Sequence, residues 1–410
     1  METRLALGSA RRGVTVVFFV FGALAATWVS RIPLIKDELD LSAAELSLAL
    51  LASPVGLLIA VQLVSTLVGR WTSGVVTRWA VPAASVAMVL PAFAWSLGSL
   101  AASLLVFGLT MGTLDTAMNT QAVAIERACR KPIMSGIHGM FSVGMLFGAV
   151  VGAGAAHADV DPRLHFVVAA GCLAALGIWA AGALLGPEAD LPVQSADADG
   201  AEGGARPRLA DHPYLWVIGA IALCSLFAEG AVDDWSGVYL HEAQGASFAV
   251  APLGTAACSI GMAVGRFCGD AVIARHGRQA TLWRSSLVAA AGMTVAVVAP
   301  TPAVAIAGYG ILGLGVATIV PIALTLAGTT SGVAPVWAVS RVTVIGYAGL
   351  FGSPPVIGLI AEATSLATAL IVPAVLLALV APLSRVAKRE QHEKGRGNSV
   401  KKGRAHCRLG

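Results

Sequence analysis

Long apolar runs, interrupted by charge, proline or glycine, follow one another along the whole 410-residue chain. A helix needs about 20 apolar residues to cross the roughly 30 Å hydrocarbon core of a bilayer, and most of the runs reach that length. The pattern predicts an all-α integral membrane protein with twelve transmembrane helices in two six-helix pseudo-repeats. The predicted helices cover residues 13–31, 43–67, 79–98, 100–125, 136–157, 164–186, 213–240, 249–270, 282–300, 303–327, 338–361 and 366–385.

Composition supports a membrane protein. Hydrophobic residues make up 57% of the chain and charged residues 12%, whereas about 25% of the residues of a soluble domain are charged. The six cysteines form no CxxC pair, so we expect no disulfide framework, no metal site and no cofactor. The first apolar run could be a cleaved signal peptide, but the many later spans favour a retained first helix.

Basic residues lie mostly on one side of the predicted membrane. If the N-terminus is cytoplasmic, 22 of the 27 lysines and arginines fall in inside segments and three fall outside, namely Arg31, Lys36 and Arg163. The positive-inside rule then places both termini in the cytoplasm, which for a bacterial chain means a multi-pass protein of the inner membrane. The basic tail is expected to lie against anionic lipid rather than nucleic acid.

The chain divides into two halves that repeat landmarks. Trp28 precedes Arg70 by 42 residues, and Trp235 precedes Arg275 by 40. Parallel repeats about an axis along the membrane normal are typical of one large class of transporters. The predicted parts are an N-terminal six-helix bundle (1–186), a polar cytoplasmic linker (187–212), a C-terminal six-helix bundle (213–386) and a basic cytoplasmic tail (387–410).

One loop carries a family signature. The segment GRFCGDAVIARHGR (265–278) resembles the loop signature of the major facilitator superfamily, and LVGRWTSGVVTR (67–78) is a less complete copy. Gly69 and Thr72 replace the usual Asp and Gly of the signature in the first copy, and Ala274 replaces the acid in the second. The resemblance implies a loop that ties the cytoplasmic helix ends together when a transporter faces outward. Ordinary inside-positive anchoring would explain the arginines but not Asp270. The predicted gate residues are His138, Arg266, Asp270, Arg275, Gly277, Arg278 and Arg341.

Further motifs suggest a branch of that superfamily. GTLDTAMNTQAVAIE (112–126), RKPIMSGIHGMFSVGMLFGAVVGAG behind it and WVSRIP in the first span are similar to fucose-permease-like sugar porters and a rhizobial membrane protein encoded with rhizopine genes. The resemblance implies a twelve-helix transporter and a sugar-like or polyol-like solute.

Acidic residues inside the predicted spans are the main candidates for function. Asp115 and Asn119 share a helix face, and Asp115 lies about 22 Å below the outer end of its span. Glu229 lies about 22 Å into the seventh span; Asp233 shares its face, and Asp234 points about 100° away. Ionisable groups at such depth usually face a pathway or a partner, and a carboxyl group there can carry a proton between the two sides. Alternatively, Asp233 and Asp234 are interfacial and Glu229 only pairs with Arg31 or a polar neighbour.

Three residues near the outer helix ends complete the candidates. Trp28 and Trp235 hold equivalent places in the two halves, where they could stack on a sugar or anchor the helices at the interface. Arg31 could neutralise a substrate, pair with Glu229 or extend to the interface.

The sequence therefore predicts a secondary active transporter that takes up a small polar solute with protons by alternating access. Its candidate substrate-binding or proton-coupling residues are Trp28, Arg31, Asp115, Asn119, Glu229, Asp233 and Trp235. Efflux by proton antiport is a second possibility, disfavoured because no proline lies between Ile133 and Asp161, where antiporters of the superfamily usually carry Gly-Pro. A non-transporting sensor is a third, and an enzyme ranks last because HExxH and GxSxG are absent. The expected partners are a solute, protons and the lipid bilayer, without nucleic acid.

Overall fold

The computed structural model describes residues 2–129, 133–186, 209, 212–330, 333 and 335–385. The predicted tail (387–410) lies outside the described residues, as does the predicted linker (187–212) apart from residues 209 and 212. The helices of the first half are α1 (Glu2–Val29), α2 (Ile32–Glu38), α3 (Ala43–Trp71), α4 (Ser73–Val89), α5 (Leu97–Cys129), α6 (Met134–His157) and α7 (Pro162–Ala181). The helices of the second half are α8 (Pro213–Glu242), α9 (Leu253–His276), α10 (Arg278–Val298), α11 (Pro302–Val316), α12 (Ile319–Gly328), α13 (Pro335–Ala363), α14 (Leu366–Ala369) and α15 (371–385).

The all-helical membrane fold predicted from the sequence is confirmed. Within the described residues, eleven helical segments are long and apolar enough to cross a membrane. The remaining predicted span, 249–270, corresponds to α9, which is a continuous helix of 24 residues. This helix is less apolar than the other spans because Arg266, Asp270 and Arg275 lie within it. A helix with that many charges needs protein or water, not lipid, around its polar face.

Proline explains two departures from the predicted helix bounds. The predicted helix 303–327 is broken at Ala317 and Thr318, and α12 starts with Pro321 in its first turn. Proline has no N–H to donate to the preceding turn but fits the first turn of a new helix. In the same way α4 ends in a 3-10 turn, Leu90–Phe93, that contains Pro91.

The helices pack as two bundles with matching contacts. In the first half α1 packs on α6 and α7, and α3 packs on α5; in the second half α8 packs on α13, and α9 and α10 pack on α11. The halves meet mainly through α3 with α13 and through α6 with α9. Each of these pairs joins the second span of one half to the fifth span of the other, so the interface has the two-fold pattern that the repeated landmarks predict.

Glycines allow the close approach of α1 and α6. A methyl group on Gly144 would meet the carbonyl oxygen of Phe19, and one on Gly148 would meet that of Ala23. These two glycines belong to a series that recurs every four residues in the sequence. Small residues at such spacing let helix backbones touch in membranes. Both glycines therefore allow α6 to pack directly against the backbone of α1.

The two signature loops have the same backbone geometry. A single residue links α3 to α4, Thr72 with φ 75° and ψ 152°, and a single residue links α9 to α10, Gly277 with φ 78° and ψ 156°. This region of backbone space is accessible to glycine and strained for a β-branched side chain, at about 1–3 kcal/mol. The first half therefore keeps the shape of the signature loop although it has lost the glycine.

We expect Thr72→Gly to stabilise the protein by about 1 kcal/mol, because strain is relieved while the unfolded chain gains some freedom. The measurement is the thermal unfolding midpoint of purified protein in detergent. The matched control is Gly277→Thr, which introduces the same side chain into the same geometry and should lower the midpoint. An unchanged or lower midpoint for Thr72→Gly would contradict the strain.

Candidate functional site

Polar side chains converge where the two halves meet. They come from α5 and α6 of the first half and from α8, α9 and α13 of the second. Hereafter the basic face is the end of the bundle that carries Arg12, Arg70, Arg78, Arg275 and Arg278, and the opposite face is the other end. The acidic and basic groups of the spans lie between these faces, inside the protein.

The acidic stretch of α8 faces the interface with α9. Glu229 and Asp233 lie one turn apart on α8, and both side chains are half-buried although most of the residues around them are fully buried. Both acids lie near the Cys258 thiol of α9. Asp234 is half-buried as well. Several partly accessible carboxyl groups close together inside a helix bundle are typical of residues that line a polar cavity.

Arg266 connects this acidic cluster to the first half. Its guanidinium is the cation within electrostatic range of Glu229, and its Nη1 donates a hydrogen bond of 2.7 Å to Ser142 Oγ on α6. Ser225, one turn before Glu229, also lies beside that carboxyl group. Arg266 thus bridges the α6–α9 contact while facing an acid on α8. A change in the charge of Glu229 would act directly on the interface between the halves.

A second polar group lies on the first half. Asn119 Nδ2 donates hydrogen bonds to Asp115 Oδ1 (3.0 Å) and to the Asp115 carbonyl oxygen (2.9 Å), as the predicted shared face requires. Tyr347 of α13 lies within electrostatic range of Asp115 and is 40% exposed. The Asp115–Asn119 pair therefore faces the other half across the interface.

Arg31 lies away from these groups. Its Nε donates to His165 Nδ1 at 3.3 Å, and its Nη2 donates to the Val160 carbonyl oxygen at 3.3 Å. The side chain is only 2% exposed and joins the end of α1 to the start of α7. The structure thus brings Arg266, not Arg31, to Glu229. The geometric reason is that α1 ends at Val29, so Arg31 follows a turn that directs it back into its own half.

The two tryptophans are enclosed. Trp235 is fully buried and its Nε1 has no hydrogen-bond partner among the residues that the structure describes, while Trp28 is 5% exposed. Next to Trp235, the Ser236 hydroxyl is hydrogen-bonded to Thr255 of α9 at 3.1 Å. With the opposite face closed, as described below, neither indole reaches water.

The predicted gate residues are spread along the basic side. Arg275 and Arg278 are exposed on either side of Gly277, and Arg341 is exposed with its guanidinium 5.6 Å from the Trp337 ring. His138 is exposed at the start of α6, its Nδ1 3.0 Å from the Met134 carbonyl oxygen, and Arg266 is within its electrostatic range. Asp270 lies on α9, and its side chain is outside the described part of the chain. The structure brings His138 near Arg266 and leaves Arg341 apart.

Contacts at the opposite face join the two halves. Lys36 Nζ of α2 lies 2.6 Å from Glu242 Oε1 of α8, and His241 Nε2 lies 3.2 Å from Asp37 Oδ2. We call these four residues the latch. At the contact between α3 and α13, the backbone N–H of Ala44 donates a hydrogen bond to Glu362 Oε2 at 3.3 Å. The structure is therefore a state closed at the opposite face.

Sequence patterns did not single out several of these partners. Ser142, Cys258, Tyr347 and the latch are all defined by contacts between distant parts of the chain. Lys36 and Glu242, for example, are more than 200 residues apart, and each alone is an ordinary charge near a helix end. The repeat could have pointed to α6 and α9 as facing helices, but not to the bond between Ser142 and Arg266.

Comparison with known proteins decides the family. The family model described as "Major Facilitator Superfamily" matches residues 13–334. The chain belongs to the major facilitator superfamily. This member is therefore a multi-pass membrane protein and a secondary transporter, not an enzyme.

Among relatives of this superfamily member is an uncharacterised MFS-type transporter of Yersinia pestis, 33% identical over 379 residues, which are 91% of this chain and 94% of the relative. The membrane protein MosC of Rhizobium meliloti is 32% identical over 365 residues, covering 87% of this chain and 85% of MosC. The resemblance to the rhizobial protein is thus confirmed.

Solved structures share the fold at low sequence identity. The nucleoside transporter NupG superposes with a TM-score of 0.71 at 12% identity, covering 92% of this chain and 98% of NupG. The fucose:proton symporter FucP of E. coli superposes with a TM-score of 0.57 at 15% identity, covering 92% and 98%. These likenesses confirm the arrangement of helices.

We expect Lys36→Glu to open the opposite face, because it places two like charges where the latch has an ion pair. The reporter is alkylation of Cys258, which is 4% exposed beside the acids of α8, by a membrane-impermeant thiol reagent added to the opposite face of oriented vesicles. An exposed ion pair contributes up to about 1 kcal/mol, so alkylation should rise about two- to fivefold.

The matched control for that experiment is the swapped pair Lys36→Glu with Glu242→Lys, which restores opposite charges and should return alkylation to the wild-type rate. Cys268 on α9, nearer the basic face, reports leakage of the reagent. Equal rates in all three proteins would show that the latch does not hold the face closed.

Proposed function

We propose that this transporter takes up a small polar solute, sugar-like or polyol-like, together with protons across the bacterial inner membrane, with both termini cytoplasmic. The solute would lie in the cavity between the two halves. Asp115, Asn119, Glu229 and Asp233 would bind it or the coupled proton. The halves, 1–186 and 213–386, would move against each other to open the cavity to either side.

The arrangement around Glu229 is the observation that carries this proposal. Glu229 lies about half-way through its span and is partly accessible, and Arg266 is within its electrostatic range. Arg266 also donates a hydrogen bond to Ser142 of the other half. When Glu229 is ionised, it attracts Arg266; when Glu229 is protonated, Arg266 keeps only its hydrogen bond to Ser142. Proton binding would therefore change how strongly α9 is held to α8 and to α6, which is the kind of difference that shifts a two-state equilibrium.

The other polar groups support a hydroxyl-rich solute. Asp115, Asn119 and Tyr347 offer hydrogen-bond acceptors and donors on facing helices, and these groups suit sugar hydroxyls. NupG, a nucleoside transporter, and FucP, a fucose:proton symporter, share the fold. We infer the same general class of solute here. The gate residues His138, Arg266, Asp270, Arg275, Gly277, Arg278 and Arg341 would close the basic side when the cavity faces outward.

We expect a sugar, polyol or nucleoside to raise the thermal unfolding midpoint of the detergent-purified protein, with a size that depends on pH. The panel contains L-fucose, myo-inositol, uridine, glycine and the lipophilic cation tetraphenylphosphonium, each at two pH values. A ligand at 100 times its Kd adds about 2.7 kcal/mol, so even millimolar binding is visible at high concentration. If only the lipophilic cation stabilises the protein, the result would contradict uptake of a polar solute and support efflux.

Once a solute is known, we expect Glu229→Gln to lower proton-driven accumulation in proteoliposomes at least about tenfold, the scale of one lost coupling step. Glutamine has nearly the same size but cannot bind and release a proton. Exchange of labelled for unlabelled solute should persist, because it needs no net proton movement. The control is Glu38→Gln, an exposed acid on α2 outside the cavity. Full accumulation by Glu229→Gln would remove Glu229 from the coupling role.

A further inference from the structure

A groove on the outer surface of the first half lies apart from the polar groups between the two halves. It has a volume of about 480 Å³ and lies between α1, α6 and α7. Its lining is almost wholly apolar and includes Phe147, Val151, Leu164, Val168 and Leu176. Leu164 and Val168 are 58% and 55% exposed, so this side of the groove opens towards the surrounding bilayer. An apolar occupant from the lipid phase can enter it directly.

The length and position of the groove match one leaflet. It follows α7 from Leu164 near the opposite face to Leu176, a rise of about 18 Å at 1.5 Å per residue. Half of the hydrocarbon core is about 15 Å thick. The groove therefore runs along the membrane normal over about the depth that one acyl chain occupies.

Two polar side chains, Thr27 and His165, line this apolar groove, and the Thr27 hydroxyl already donates to the Ala23 carbonyl oxygen at 2.7 Å. His165, in the first turn of α7, is 6% exposed, and its Nε2 makes no hydrogen bond within the described residues. Arg31 Nε donates to its Nδ1, and an arginine has only donors, so Nδ1 must be the unprotonated nitrogen. The proton of the neutral ring is then on Nε2. His165 thus keeps an unpaired N–H donor just beneath the groove wall, with less than 1 Å² of accessible surface. Such a group is worth about 1–3 kcal/mol to an acceptor once the ring turns to meet it.

The depth of His165 indicates which acceptor that is. It is the fourth residue of α7, about 5 Å below the helix end. The interfacial layer on each side of the hydrocarbon core is about 5–7 Å thick, so His165 lies where the core meets the headgroups. In a phosphoglyceride, the ester carbonyls are at this boundary and the acyl chains start there.

We propose that this groove binds one acyl chain of a bilayer phosphoglyceride and that the His165 ring turns towards the groove so that Nε2–H donates a hydrogen bond to the ester carbonyl of that chain. The chain would pass Cys172 and end near Leu176. The site lies in the leaflet of the opposite face, and through His165 it touches Arg31 at the end of α1. The bound lipid would thus stabilise the corner where α1, α6 and α7 meet.

The native cysteines allow a direct test with wild-type protein. Cys172 is exposed and lines the groove, whereas Cys268 is exposed on α9 outside it. Delipidated protein in an ester-free detergent is alkylated with N-ethylmaleimide, with either dioleoyl phosphatidylethanolamine or its diether analogue present, and peptide mass spectrometry measures both rates. The ester lipid should slow alkylation of Cys172 relative to Cys268. The ether lipid should protect about three- to tenfold less well, which corresponds to one lost hydrogen bond.

Two variants complete the test. His165→Phe keeps the ring volume but removes the donor, so it should abolish the difference between ester and ether lipids. His157→Phe, at an exposed position of the same face, should keep the wild-type difference. No protection of Cys172, equal protection by both lipids in the wild type, or a persisting difference in His165→Phe would each overturn the proposal. Wild-type protein alone decides the first two outcomes, so misfolding of a variant leaves the test intact.

Discussion

Hydrocarbon offers no hydrogen-bond partner to a charged side chain, and this constraint organises the whole molecule. Glu229, Asp233 and Arg266 lie within helices long enough to cross a membrane, so they can exist there only between helices. They are found at the contact between α6, α8 and α9, where the two halves meet. The interface between the two halves is therefore the place where charge is tolerated.

The repeat makes that interface possible. Because α3 and α9 are equivalent, as are α6 and α13, one kind of contact is used twice at the boundary between the halves. The equivalence reaches single residues: Thr72 and Gly277 have backbone angles within a few degrees of each other. A loop that keeps this shape at the expense of strain indicates that the geometry matters more than the residue.

Sequence patterns predicted the parts of the protein that depend on local physics. Apolar run length predicted the spans, and helical spacing predicted the Asp115–Asn119 pair. The depth of Glu229 predicts that its carboxyl group needs a partner. The sequence offers Arg31 or a polar neighbour for that role and places Arg266 among the gate residues. Arg31 and Arg266 look equivalent as isolated cations in apolar runs. Only the turn after Val29 and the packing of α6 on α9 distinguish them, and both depend on tertiary contacts.

Closure of the opposite face rests on weak contacts, which is what a reversible transporter needs. Glu242 and Asp37 of the latch are 37% and 45% exposed, and an ion pair near the surface, such as Lys36 with Glu242, contributes about 0–1 kcal/mol. Small residues supply the close packing beside them: a methyl group on Gly237 would be only 3.2 Å from Pro33 Cγ. A free-energy difference of about 5.5 kcal/mol already moves a two-state population from 1:99 to 99:1. The latch contacts alone fall short of that difference, so under the proposed coupling the electrostatic interaction of Arg266 with Glu229 would have to supply much of the remainder.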